Sequence, residues 1–461
     1  MKLVRGKRAV VLGLGVSGMA VVRYLREQGL TTTVSEYRLR KDFSKEELAL
    51  VEGLQLETGG HSDEFVLRND YIIASPGVPL DLPVLCKARE RGIPIVGELA
   101  LAAGEIPVPV IAVTGSNGKT TVTGLIGELL RAGGYQPFVG GNIGTPLLSY
   151  LLSPKGYDVL VLELSSFQLD LSGDFRPDIA LLLNLSPDHL DRHQSMEEYT
   201  KAKCRIFSNQ QKGDRAILGA DDPLVMAQAG EIRAAVSTFG DNRNAQAGVV
   251  EDRVHVSVDG GQSCFELQKT GLNSGVNRLN AAAAILAAKH FGVSDERIRR
   301  GLAVYSVPEH RMTRVAEIDG VSFINDSKAT NVGAMAAAIQ SCPAGMVLIA
   351  GGRDKAGDFT GLRELVASRV DHMLCLGEAG PLLMKIFVDV VTVEQVEDMR
   401  AAVARAAVLA GPGQTVLLAP GCASFDMFSD YAERGRVFTA CVQALFSTGE
   451  ERDNDKDMLR L

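Results

Sequence analysis

The chain has 461 residues, with 48 Lys and Arg against 56 Asp and Glu, a formal charge of −8. That balance excludes a generally basic nucleic-acid coat, and at roughly 150 residues per domain the length suggests about three domains. Glycine is high at 48 residues, aromatics are 5% and tryptophan is absent, so a core of Val, Leu, Ile and Ala is expected, as in buried parallel sheets.

The chain opens on Met1-Lys2-Leu3-Val4-Arg5-Gly6-Lys7-Arg8 and runs into a short apolar stretch at 9–12. That run is too short and too glycine-broken for a signal peptide. No apolar run approaches the ~18 residues of a membrane span. Seven scattered cysteines, none in a CxxC pair, indicate neither a disulfide framework nor a zinc site and fit a reducing cytoplasm.

Short apolar runs at 9–12, 71–74, 108–113, 159–162, 179–183, 346–350 and 416–419 alternate with helical patterns. This is the βαβ rhythm of parallel α/β domains. The stretch 247–268 differs: its alternation around Asp259-Gly260-Gly261 reads as an antiparallel hairpin appended to a sheet. Proline-bearing stretches at 104–109 and 304–309 place boundaries that give domains 1–104, 105–307 and 308–461. The charged end, 450–461, reads as a tail.

The first strand leads into Gly13-Leu14-Gly15-Val16-Ser17-Gly18 and a helix, and Glu36 follows a second strand. This matches a dinucleotide fingerprint, and an NAD-dependent dehydrogenase is the immediate reading. The loop recognises a pyrophosphate flanked by sugars, however, and a UDP-sugar carries one too. A plain βα turn is the third reading. A second loop, Ser75-Pro76-Gly77, follows the strand at 71–74 and could close the same crevice.

The strand ending at Val113 leads into Thr114-Gly115-Ser116-Asn117-Gly118-Lys119-Thr120-Thr121 and then a helix. This is a phosphate loop. Backbone N–H groups and the helix start would hold phosphates, Lys119 would reach the β and γ oxygens, and Thr120 would offer a hydroxyl to Mg²⁺. The generic form has glycine five residues before Gly118, where this chain has Val113, so an ordinary P-loop NTPase is disfavoured.

Glu163 ends the next buried strand and is a candidate Mg²⁺ ligand there. Another strand end runs into Asp188, His189, Asp191 and His193, a set that suggests metal binding. A helix then carries Lys201 and Lys203, which composition alone cannot distinguish.

Together these residues give the chain its resemblance to the Mur ligases of peptidoglycan synthesis. The resemblance rests on Thr114–Thr121, Leu162-Glu163-Leu164-Ser165-Ser166-Phe167-Gln168-Leu169, the Asp188 segment, His310-Arg311, Asn325-Asp326-Ser327-Lys328-Ala329-Thr330-Asn331 and the segment 421–428. It covers nearly the whole chain, and the Ser-Ser-Phe-Gln-Leu and Asn-Asp-Ser-Lys-Ala-Thr-Asn segments favour the D-glutamate-adding member. It implies an α/β protein of three domains: an N-terminal Rossmann-like domain for the UDP substrate, a central P-loop ATPase-type parallel sheet with the added hairpin, and a C-terminal Rossmann-like domain for the amino acid.

The implied reaction is ATP-dependent amide formation between UDP-N-acetylmuramoyl-L-alanine and D-glutamate through an acyl phosphate, with two Mg²⁺ ions. The resemblance implies a cytoplasmic enzyme of small-molecule substrates, without nucleic-acid or membrane partners, and a monomer. It assigns Gly15, Val16, Ser17, Gly18, Arg38, Ser75, Pro76, Gly77, Asn142, Ser165 and Gln168 to the UDP substrate. Residues Gly115 to Thr121, with Asn277, Asn280, His310, Arg311, Asp326 and Lys328, go to ATP. Asn277 and Asn280 read as preceding an alanine-rich helix at 281–289, where a capping role is the bland alternative.

Thr120 and Glu163 would hold the first Mg²⁺, and His189 with a carbamylated Lys203 the second. Lys119, Glu163, His189 and Lys203 are the implied catalytic set. Thr330, Lys355, Ser424, Phe425 and Tyr431 would contact D-glutamate. Two positions depart from the family pattern: Tyr37 replaces a common threonine, and Tyr431 a phenylalanine. A sibling Mur ligase or a folylpolyglutamate synthase-like ligase is the nearest alternative, and a catalytically idle nucleotide-binding protein a more distant one.

Overall fold

In the computed structural model, residues 4–154, 156–355 and 357–458 are described, without the side chains of 191 and 446–458. Among the described residues, twenty strands form three sheets. The first contains β1 (Arg8–Leu12), β2 (Thr31–Glu36), β3 (Gln55–Thr58), β4 (Tyr71–Ala74) and β5 (Ile95–Val96). It is fully parallel in the order β3-β2-β1-β4-β5. Order reverses beside β1, so a crevice opens between the loops after β1 and β4.

The second sheet contains β6 (Val110–Thr114), β7 (Pro137–Gly141), β8 (Val159–Glu163), β9 (Ile179–Leu182), β10 (Arg215–Gly219), β11 (Ala235–Gly240), β12 (Ala247–Val250), β13 (Arg253–Val258) and β14 (Gly261–Glu266). Its order is β14-β13-β12-β11-β10-β9-β6-β8-β7. The strand β6 lies between parallel neighbours β8 and β9, so its C-terminal end is again a switch point. The expected hairpin is a three-stranded meander, with β12, β13 and β14 antiparallel and β12 joined in parallel to β11. Its extra turn passes through Glu251 at φ 57, a conformation that glycine or asparagine usually signals.

The third sheet contains β15 (Thr313–Ile318), β16 (Val321–Asn325), β17 (Met346–Gly351), β18 (Val370–Leu376), β19 (Thr392–Gln395) and β20 (Thr415–Leu418), in the order β15-β16-β20-β17-β18-β19. Only β15 is antiparallel to its neighbour. Successive residues of β17 alternate between two apolar clusters: Leu348 and Ala350 join one, Val347 and Ile349 the other. Both faces are thus covered, which is why the run lacks polar alternation. The switch lies between β17 and β20, whose following loops hold Lys355 and Ser424.

The chain divides into two compact units. One holds residues 1–185, 197–267 and 279–305, and the other 186–196, 268–278 and 306–461. Asn277 and Asn280 lie inside the helix Gly275–His290, not before it. The last helix, Tyr431–Met458, continues into the expected tail, of which 459–461 lie outside the described residues. Among the described residues, no helix is long and apolar enough to cross a membrane.

Candidate active site

In the first unit, Gly13 takes φ 81 and the helix Val16–Glu27 starts after Gly15. A Cβ on Gly18 would stand 2.1 Å from the Gly13 carbonyl oxygen, so only glycine lets the helix start this close to the turn. The Ser75 hydroxyl donates to that same carbonyl at 2.9 Å, which joins the two expected UDP-substrate loops. Pro76 is half-buried and Gly77 exposed beside them.

Glu36, the acid of the dinucleotide reading, is buried. It accepts the Leu14 N–H at 2.5 Å and pairs with Arg38, which also pairs with Glu47 at 2.7 Å. Burial opposes its ionisation, but the Arg38 and Leu14 hydrogen bonds win and hold its carboxyl below the ordinary range. A ribose diol would have to displace these bonds. The acid that suggested NAD therefore builds the loop and holds Arg38.

At the second switch point, Gly115 has φ 150 and Gly118 φ 86, and the 14-residue helix Lys119–Ala132 begins at the loop's end. The side chain of Asn184 shapes this loop, and sequence reasoning passed over it. Its carbonyl oxygens accept the N–H groups of Ser116 (2.9 Å, backbone) and Asn117 (2.8 Å, side chain). Those two amides therefore shape the loop instead of facing phosphate, and the helix start is the remaining anion-facing element. Lys119 Nζ donates to the Gly115 and Ser116 carbonyls at 2.8 Å each. The Ser116 hydroxyl meets Tyr199 at 3.1 Å. Thr120 and Thr121 follow in the first helical turn, and Asn280 reaches toward Gly118.

Glu163 ends β8 and is buried. Its Oε1 accepts Nδ2 of Asn142 at 2.8 Å, while Oε2 is buried with no hydrogen-bond partner among the described residues. A buried carboxylate oxygen left bare is costly in isolation and suits a cation. Ser165 and Gln168 make a reciprocal capping box for the short helix Ser166–Leu169. Lys203 is 2% exposed, with Nζ 2.8 Å from the Gly115 carbonyl and 4.6 Å above the Tyr199 ring. Lys201 instead lies exposed in ion pairs with Glu197 and Glu198. Two residues apart on a helix, the lysines face different sides.

In the second unit, His189 takes φ 56 and precedes the helical turn Leu190–His193. Its Nε2 is 3.7 Å from Asp188, whose contacts include Asn331 at 3.0 Å and Lys355 at 3.3 Å. Asp188, Asn331, Lys355 and Gly421 line one cleft. His310, at φ 64, is buried against Gly435, and burial pushes its imidazole pKa down. Burial pushes the Asp326 carboxyl up to about 7, against the Met312 N–H and Arg311. Asn277 donates to Ser274 at 3.1 Å. The Lys328 ammonium lies 4.0 Å above the Tyr431 ring. Thr330 is half-buried, Ser424 buried and Phe425 exposed.

Among the described residues, no three His, Cys, Asp or Glu side chains cluster as a metal site. The expected ligand set would not form such a cluster, because it relies on a hydroxyl and a modified lysine.

A phosphate loop, a bare buried carboxylate oxygen beside it and glycine-lined crevices at two further switch points define a nucleotide-binding α/β enzyme built for several substrates. Family models match three stretches: MurD-like N-terminal domain over 7–97, Mur ligase middle domain over 113–288, and Mur ligase glutamate ligase domain over 310–422. The chain belongs to the Mur ligase family. It is 44% identical over 443 residues to the UDP-N-acetylmuramoylalanine–D-glutamate ligase of Desulfotalea psychrophila, covering 96% of this chain and 97% of that one. It is 42% identical to the enzyme of the same name from Acidobacterium capsulatum, covering 95% and 97%. The crystal structure of MurF ligase from Thermotoga maritima in complex with ADP shares the fold, with TM-score 0.59, 19% identity and coverage of 98% and 96%.

Proposed function

We propose that this chain is the ATP-dependent ligase that joins D-glutamate to the alanyl carboxylate of UDP-N-acetylmuramoyl-L-alanine in peptidoglycan precursor synthesis. The observation that carries this reading is full-length identity above 40% to ligases of that name, together with a phosphate loop whose neighbour Glu163 holds a bare buried oxygen.

A carboxylate at neutral pH is a poor electrophile. Transfer of the γ-phosphoryl group of ATP to an alanyl carboxylate oxygen breaks the terminal P–O bond, releases ADP and gives an acyl phosphate. The D-glutamate amine then attacks that carbonyl carbon. The tetrahedral intermediate loses the amine proton and expels inorganic phosphate, leaving the amide. Positioning and charge neutralisation supply most of the catalysis in phosphoryl transfer.

Lys119 would turn from its own loop carbonyls to the phosphates, assisted by the helix start. Asn142 orients Glu163 and lies where the muramoyl-alanine end would arrive. Gly15 to Gly18, Ser75 and Arg38 would hold the UDP part, and Ser165 and Gln168 the acyl end. Asn280, with Asn277, His310, Arg311, Asp326 and Lys328, would serve the nucleotide. Thr330, Lys355, Ser424, Phe425 and Tyr431 would serve D-glutamate.

The donor set fits magnesium: Thr120 and Glu163 would hold one ion, which neutralises phosphate charge when bound. His189 and a carbamylated Lys203 are carried as ligands of a second ion on the resemblance. Domains at 1–104, 105–307 and 308–461 and a cytoplasmic monomer complete the proposal.

The test is phosphate release by the purified chain with ATP and Mg²⁺. Release should require both UDP-N-acetylmuramoyl-L-alanine and D-glutamate, and L-alanine, meso-diaminopimelate or D-alanyl-D-alanine should not replace the latter. No release with the named pair would sink the proposal.

A further inference from the structure

Arg434 stands apart from the residues so far assigned. It lies on the final helix, it is 1% exposed, and it ranks among the largest fully buried side chains. Among the described residues no carboxylate hydrogen-bonds to it, although Asp426 lies near enough to attract it. Four of its five N–H donors go to neutral oxygens: Nε to the Ser327 hydroxyl at 3.0 Å, one on Nη2 to the Ser327 carbonyl at 2.8 Å, and two on Nη1 to the carbonyls of Cys422 and Ala423 at 3.1 and 3.3 Å. The Ser327 hydroxyl in turn donates to the Tyr431 carbonyl at 2.7 Å. Burial pushes the guanidinium pKa down to about 10.

Two loops therefore converge on one side chain. Ser327 lies between Asp326 and Lys328 and three residues before Thr330. Cys422 and Ala423 immediately precede Ser424. All of these belong to the unit that contains the third sheet. We propose that Arg434 is the positioning residue that sets the amino-acid subsite for an acceptor carrying two carboxylates.

Two physical effects support this. First, a planar guanidinium with several donors fixes the spacing of two loops in a way that a flexible lysine cannot. Gly352 leaves the room: a Cβ there would stand 2.2 Å from the Ala423 carbonyl oxygen and 3.1 Å from Nη1. Second, in a trans peptide the carbonyl and N–H point in opposite directions. With the Ala423 carbonyl turned to Arg434, the Ser424 N–H faces away from it. A cation held behind that peptide polarises it and makes the N–H a stronger donor to an anion. Asp426 attracts the guanidinium only at a distance, so the cation's field still favours an incoming dianion. A neutral or monoanionic amino acid would gain less.

The inference rests on the proposed D-glutamate reaction, and the wild-type assay comes first. If wild type shows no D-glutamate-dependent phosphate release, the functional reading fails before any variant is made. With wild type active, Arg434→Lys should raise the KM for D-glutamate on the order of tenfold or more, as expected for loss of one to two net hydrogen bonds. KM for ATP and for the UDP substrate should stay within about twofold. Ser327→Ala keeps the charge and removes one partner, so a smaller rise in the same constant is expected. Unchanged KM for D-glutamate in both variants overturns the proposal. So does a common rise of all three constants with a fall in melting temperature, which would mark Arg434 as fold glue. If Arg434→Lys does not fold, Ser327→Ala decides alone: a rise confined to D-glutamate supports the proposal, and no rise overturns it.

Discussion

Glu98 gives a stability prediction that can be worked from the structure. It opens the short helix Glu98–Ala102 in the first unit and is 4% exposed. Its Oε1 accepts the Leu148 N–H at 2.9 Å, and among the described residues its Oε2 has no hydrogen-bond partner. Burial pushes its carboxyl from an ordinary 4.5 to about 7, and the opposing hydrogen bonds from Leu148, Ser17 and Leu147 do not offset this. The folded state thus prefers the protonated acid. Below pH 4.5 both folded and unfolded chains are protonated and nothing is lost. Between pH 4.5 and about 7 the unfolded chain ionises while the folded chain holds its proton, so stability falls with pH by about 3 kcal/mol at most and levels off once the folded group ionises above about 7. Glu98→Gln keeps an acceptor for Leu148 and never ionises. The variant should melt near wild type at pH 5 but several degrees above it at pH 8, at about 2–4 °C per kcal/mol for a domain of this order. Subtracting wild type at each pH cancels every other titrating group, Asp326 included. A variant-minus-wild-type difference that is the same at both pH values would refute the argument.

Gly118→Ala places a side chain at φ 86 and its Cβ 2.4 Å from Oδ1 of Asn280. The backbone alone costs about 1–2 kcal/mol, so KM for ATP should rise about tenfold or more in the phosphate-release assay. Asn142→Ala removes the donor to Glu163 Oε1 and leaves both carboxylate oxygens bare. Turnover should fall on the order of tenfold, the scale of a charge-assisted hydrogen bond, and a Mg²⁺ titration should shift; unchanged turnover would refute the role. Lys203→Ala should abolish turnover, whereas Lys201→Ala, an exposed ion-pair residue, should stay within about twofold of wild type. Equal effects of the two lysines on the measured rate would remove Lys203 from the proposed metal site.

What was legible in the sequence follows from how local each signal is. The phosphate loop could be read because its glycines are required at positive φ within a few residues of a strand end. The turn at Asp259-Gly260, with φ 50 and 77, was read from the same local chemistry. Asp319-Gly320, at φ 51 and 77, carries an equal hairpin signal and was passed over, which left the antiparallel β15–β16 pair unforeseen. The turn at Glu251 had no glycine to mark it. Asn184 and Arg434 could not be found this way, because their importance lies in partners 67 and 107 residues distant. The difference between Lys201 and Lys203 is also tertiary: both fit a polar helix, and only packing against Tyr199 and the phosphate loop sets one apart. Placing Asn277 and Asn280 ahead of their helix was a boundary error, because the alanine run marks only its more apolar later turns.

The Asp188 segment shows how this chain can use one side chain for two purposes. Residues 186–196 leave β9 of the second sheet yet belong to the unit of the third. Asp188 is held there by Asn331 and Lys355, and its neighbour His189 takes a left-handed backbone at φ 56, uncommon for a residue other than glycine. Pairing with Asp188 occupies part of the Lys355 ammonium. An ammonium carries three donors, however, and the 3.3 Å contact uses one of them. Asp188 can therefore aim Lys355 while further donors remain for the amino acid. An asparagine at position 188 would keep the shape but weaken the ion pair, and a lysine aimed less firmly would bind D-glutamate more loosely. The same carboxylate thus ties the backbone that presents His189 to the cation that would receive the acceptor, so the segment after β9 and the loop after β17 are joined through Asp188.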